Sequence, residues 1–170
     1  MQPHLGADPF GHEVYGMLHL SAALACTVQG DHGGAREHGA EAAKVASRLG
    51  DNPGAFELFG PANVDVWRAS FAVEAGNAGE ALAYADAIQP RQLASGNRRA
   101  ALMLEKARAC AMLGRDADAV RELRQAERLS PAQVHHHPLI RELVSGMLSR
   151  ARREAGGRDL RGLAWRMNLI

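Results

Sequence analysis

The sequence predicts an all-α fold: a right-handed α-solenoid of helical hairpins, with about seven helices and a short C-terminal eighth. Three observations lead there. Apolar residues recur at helical spacing almost throughout, and no stretch alternates with a period of two. Helix-like runs end in a glycine followed five residues later by alanine at Gly30 with Ala35, Gly76 with Ala81 and Gly114 with Ala119. Alanine, leucine and valine dominate the apolar content while only 5% of residues are aromatic, a composition for closely approaching helices. A two-helix unit cannot bury its apolar face alone, so it stacks on its neighbours and leaves a groove.

The first helix is expected from about His12 to Gln29, with Val14, Met17, Leu18, Ser21, Ala25 and Val28 on its buried stripe. Asp31 restarts the chain, and a second helix follows to about Leu49 through Ala35, Gly39, Ala42, Ala43 and Ala46. Residues 51–54, DNPG, break it. After a connector, Pro61 suits the first position of a third helix ending near Ala75, where a missing N–H costs nothing. Gly76 turns directly into a short fourth helix that Pro90 stops. Beyond a second connector, a fifth helix runs from about Arg98 to Leu113, with Leu102, Met103, Ala107, Cys110 and Leu113 inward. Asp116 is the expected N-cap of a sixth, which turns Val120, Leu123 and Ala126 inward.

Residues 130–138, SPAQVHHHP, interrupt the pattern before Pro138 opens a seventh helix. Its stripe is Leu139, Ile140, Leu143, Val144, Met147, Leu148 and Ala151, and Gly156-Gly157 ends it. Leu160, Leu163, Ala164 and Met167 then make a short amphipathic helix that docks back. Residues 1–170 read as a single domain in which 1–11, with Pro3, Gly6, Pro9 and Gly11, are irregular.

In the last hairpin the match extends to Leu123, Ala126 and Pro131, the order of a tetratricopeptide (TPR) second helix. The glycine spacings of 46 and 38 residues exceed the about 34 of a standard TPR, and the excess lies in the connectors. Three blocks in order, FGPANVDVWRASFAVEAGNAGEAL, RRAALMLEKARACAMLGRDADAVRELRQAERLSP and HHPLIRELVSGMLSRARREAGGRDLRGLAWRMNLI, make most of 12–170 resemble one family region. It is the TPR-like C-terminal region of actinobacterial XRE-family transcriptional regulators. The resemblance implies a sensor and dimerisation module that receives a small molecule or peptide. Residues 1–11 are too short for the family's helix-turn-helix, so direct nucleic-acid binding is not expected of this chain.

Composition agrees. Twenty Lys and Arg against nineteen Asp and Glu leave a net charge of +1, which gives no general attraction to nucleic acid. Seven arginines against three acids concentrate +4 in residues 141–170, read as a solvated helix face. Cys26 and Cys110 occupy equivalent places four residues before their glycines, where a small apolar side chain is needed, and no disulfide is expected. No apolar run approaches a membrane span, and the leading residues lack a secretory pattern, so a cytoplasmic protein without membrane contact is expected.

The first helix of each hairpin lines the concave face of a TPR-like array. Its polar residues there, Asn63, Arg68, Ser70, Glu74, Glu105 and Arg108, are therefore the expected ligand contacts. Arg68 and Lys106 fall eight residues before their glycines, at a position usually apolar; they either pair internally, for example with Glu74 or Glu105, or meet an anionic ligand. Trp67 is open between core and groove platform, and Trp165 is a candidate anchor for the tail. His135, His136 and His137 provide too few ligands for a metal site and read as a solvated loop. No catalytic signature and no cofactor motif is found, so a non-enzymatic module binding a peptide, small effector or partner protein is expected, with a homodimer open. A stand-alone adaptor and an enzyme using the helical groove are the rival classes.

Overall fold

The computed structural model describes residues 9–50, 59–151 and 157–170. The expected break at 51–54, the stop at Gly156 and the irregular lead over residues 1–8 lie outside them. Within the described residues the protein is all-α, without a strand. Its helices are α1 (Pro9–Val28), α2 (His32–Leu49), α3 (Pro61–Glu74), α4 (Ala78–Ala87), α5 (Gly96–Met112), α6 (Asp116–Leu129), α7 (Pro131–His136), α8 (Pro138–Arg150) and α9 (Gly157–Arg166). Each packs on its successor, and the pairs α1 with α3, α3 with α5 and α5 with α8 also touch.

One backbone turn is used three times. Gly30, Gly76 and Gly114 have φ of 77°, 79° and 71°, a conformation an L side chain resists. Each glycine N–H donates three residues back, to Thr27, Val73 and Ala111, at 3.0 Å. The next residue, Asp31, Asn77 or Arg115, donates five back, to Cys26, Ala72 and Cys110, at 2.9, 2.8 and 2.9 Å. These are Schellman closures, which satisfy the carbonyls orphaned at a helix end. The carbonyl of that same residue then accepts the N–H of Ala35, Ala81 or Ala119 at 3.0 Å, beginning the next helix. The three alanines are 4%, 1% and 0% exposed, so the glycine-to-alanine spacing is the distance from a turn to the first close helix contact. Both thiols, at Cys26 and Cys110, are free.

The core runs the length of the molecule. One cluster joins Leu20, Ala42, Val64 and Phe71 across the first three helices, a second holds Ala69, Ile88, Leu93 and Leu102, and the largest gathers α5 to α9 around Leu123, Ile140 and Met147. The tail docks as expected, through Leu160, Leu163, Ala164 and Met167, all 4% exposed or less. Burial of its three large side chains, roughly 1.5–3 kcal/mol each, outweighs the Arg166 guanidinium on Glu127 at the rim, about 1 kcal/mol. Trp165 is no anchor, being 70% exposed.

Several boundaries differ from the sequence reading. Pro9 to Gly11 belong to α1 rather than to an irregular lead, and α5 begins at Gly96, where Ser95 caps it by accepting from the Arg98 N–H at 3.1 Å. Asp116 is the first helical residue of α6, not its cap, and is held by Arg150 at 3.1 Å. The expected interruption at 130–138 contains α7, because Val134 buries completely and His135 bonds Glu127 at 2.7 Å. Gly157 opens α9 instead of ending α8.

The buried stripe of α1 is also displaced. Glu13, Gly16, Leu20, Ala23 and Thr27 face inward, while Leu18, Ser21, Ala25 and Val28 of the expected stripe are exposed. This helix is apolar nearly all round, so periodicity does not choose a face; small residues do. A Cβ at Gly16 would overlap the Phe59 ring, so the close approach there requires glycine. Thr27 buries its hydroxyl by donating to the Ala23 carbonyl at 2.8 Å. Leu113 and Leu139, expected inside, are 51% and 44% exposed at the ends of their helices.

Two alanine substitutions in one hairpin should act in opposite directions. Gly76→Ala forces a side chain into positive φ and should cost about 1–2 kcal/mol, whereas Gly79→Ala, inside α4 with open space around it, should stabilise by roughly 0.5 kcal/mol. Urea unfolding of both variants measures the pair; equal midpoints would refute the role given to the turn.

Candidate functional site

Asn63, Trp67, Ser70 and Glu74 lie along one stripe of α3, at i, i+4, i+7 and i+11. Trp67, Ser70 and Glu74 face Arg98, Glu105 and Arg108 of α5. Arg98 stands over the Trp67 ring, its guanidinium carbon 5.8 Å from the centroid. Ser70 donates to Glu105, and Arg108 donates to Glu105 at 3.1 Å and to Glu74 through its other terminal nitrogen. The pairs ascend together, so α3 and α5 lie parallel, side by side. Four of the six expected contacts, Ser70, Glu74, Glu105 and Arg108, therefore meet on one surface, and Asn63 lies on the same stripe of α3.

Its charges, two guanidiniums and two carboxylates, balance in number but are unevenly paired. One guanidinium serves two carboxylates, and Glu105 is largely buried. Burial holds the Glu105 carboxyl above the usual carboxylate range against the opposing pull of Arg108 and Ser70, and the charge on Glu74 adds to the rise. At the other end, burial pushes the Arg98 guanidinium down, and the carboxylate that counters this is Glu105. Among the described residues the Arg98 Nε, the Arg99 Nε and the Asn63 Oδ1 are buried with no hydrogen-bond partner, and Asn63 as a whole is 6% exposed. Such atoms cost stability. Trp67 is half-buried: one side packs on the first core cluster and Phe71, and the other meets Arg98, so it serves both the core and the groove.

Arg68 is placed elsewhere. It donates to Asp65 at 3.2 Å and to the Tyr84 hydroxyl at 2.8 Å, with its guanidinium over the Tyr84 ring, in a cleft between α2, α3 and α4. Lys106 pairs with Asp86 at 2.7 Å. Both cations thus pair internally, but with Asp65 and Asp86 rather than with Glu74 or Glu105, which belong to Arg108. The sequence reading missed Arg98 because it stood at the expected start of its helix. Its spacing of seven from Glu105 was the available signal. Among the described residues no group of three His, Cys, Asp or Glu side chains is arranged to hold a metal ion.

The arrangement offers fixed hydrogen-bond donors and acceptors around an indole, which is the chemistry of recognition. In comparisons with known proteins, no family model, no curated protein and no solved structure matches this chain.

Because the folded carboxyl of Glu105 titrates higher than the unfolded one, the native state holds this proton more tightly. The stability it contributes is complete below the unfolded pKa and is lost as pH rises through the raised value. Glu105→Gln should remove that loss, so the difference in urea midpoint between wild type and variant should grow in favour of Gln over that interval. A difference that does not change with pH would show that burial does not govern this carboxyl.

Proposed function

We propose that the protein is a non-enzymatic TPR-like binding module whose hairpins stack as a right-handed α-solenoid and whose α3–α5 face holds a peptide or small effector. One observation carries the reading: a half-buried cation over an indole at one end of the face, and two carboxylates sharing one guanidinium at the other. Seven helical residues separate Arg98 from Glu105, about 10 Å along the axis. A short extended peptide spans that distance, with an acidic group at Arg98 and a donor at Glu105. The parallel first helices support the stacked arrangement.

On this reading the module is related to the sensor region of XRE-family regulators, with the resemblance covering most of residues 12–170. Signalling would then require that the ligand favour one stacking of the hairpins over another. Among the described residues no helix is long and apolar enough to cross a membrane, which fits a cytoplasmic setting. A second reading, a stand-alone adaptor, rests on the outward stripe of α1, where Leu18 and Val28 are 63% and 80% exposed. The absence of charge there suits a protein surface.

Trp165→Phe leaves Trp67 as the one indole, so a synthetic peptide library can be screened by its fluorescence. Peptides that shift the Trp67 emission should bind Arg98→Gln about tenfold more weakly, or 1.4 kcal/mol, and Arg108→Ala more weakly too, with helix content unchanged. Peptides that bind both variants like wild type would remove this face from the function.

A further inference from the structure

We infer that the cleft between α2, α3 and α4 is a second binding site, for a small oxyanion of the carboxylate or phosphoryl class. It opens on a different face of α3 from the groove: Arg68, Phe71, Ala72 and Ala75 form their own stripe, about 120° round the helix from Trp67 and Ser70. Small residues make the space. Gly39 forms the α2 wall, where a Cβ would sit 3.8 Å from the Arg68 Cγ, and Ala35, Ala72 and Ala75 leave the rest open. The cavity measures about 50 Å³. A water takes about 10–15 Å³ on this measure, so the space holds roughly four non-hydrogen atoms. That is the scale of a carboxylate with its methylene, at four non-hydrogen atoms, or of a phosphate, at five.

The lining chooses the sign. Arg36 stands exposed at the rim and Arg68 half-buried within, against one lining carboxylate, Glu80, which is occupied in accepting the Tyr84 hydroxyl at 3.2 Å. Arg68 is fixed from two sides, by Asp65, which meets part of its charge, and by Tyr84, so its guanidinium is held in place before any ligand arrives. Asn77 also lines the cleft, and its side chain makes no capping bond to α4. Two guanidiniums and an amide around a space of this size are suited to forked oxyanion recognition. The site does not depend on the α3–α5 face, and its ligand need not be the same molecule.

The probes are sodium phosphate and sodium acetate, titrated at constant ionic strength into isotopically labelled full-length chain while the amide resonances of Gly39, Ala72 and Ala75 are followed. Saturable shifts are expected. Arg36→Ala, at an exposed position, should weaken binding about tenfold, and Gly39→Ala, which fills the space by ordinary contact, should weaken it similarly while leaving helix content intact. Glu80→Gln should tighten binding several-fold. Preference for phosphate assigns a phosphoryl ligand, and preference for acetate a carboxylate one. Shifts that never saturate, or that Arg36→Ala and Gly39→Ala leave unchanged, would overturn the site.

Discussion

The three-residue turn at Gly30, Gly76 and Gly114 is the constraint from which the other geometry follows. A single residue after each glycine is bonded on both sides, its N–H to the helix it leaves and its carbonyl to the helix it enters. The angle between two helices is then set by backbone bonds rather than by whichever side chains meet. Buried alanine immediately after the turn keeps the pair close. Because the hairpins share this geometry, their first helices can lie parallel, and the polar residues of α3 meet those of α5 in ascending order. The α3–α5 face is a product of repetition in the backbone, even though its side chains do not repeat.

Features that depend on local chemistry were legible in the sequence. The glycine turns, the prolines at the starts of α3 and α8, and the amphipathic tail all follow from φ angles, missing donors or an apolar stripe with charged flanks. Features that depend on which of two equivalent faces meets a neighbour were not. Helix α1 has apolar residues on both sides, and only the contact of Gly16 with Phe59 decides between them. The six-residue α7 is too short for periodicity to show, and its order comes from Val134 in the core and Glu127 alongside. Arg68 and Ser70 are two residues apart, yet a helix sends them about 200° apart, into separate surroundings.

The energetics set the polar residues between α3 and α5 apart from this background. The apolar clusters bury their side chains completely, so most of the stability comes from them. The α3–α5 face departs from that economy. Among the described residues it retains a buried amide oxygen and a buried guanidinium nitrogen without hydrogen-bond partners, and two acids share the Arg108 guanidinium. A protein selected only for stability would replace these groups with leucine or alanine, since an unmet buried polar atom costs about 1–3 kcal/mol. Their cost is offset when something else completes them.

The meeting of Gly16 with Phe59 has an evolutionary consequence. Where the space left by a missing methyl group is filled by an aromatic ring from another part of the chain, neither position is free to drift alone. A larger residue at position 16 becomes tolerable only after position 59 has shrunk, so the order of substitutions matters as much as their identity. Descendants of this sequence should therefore carry the two changes together, and lineages that keep the ring should keep the glycine.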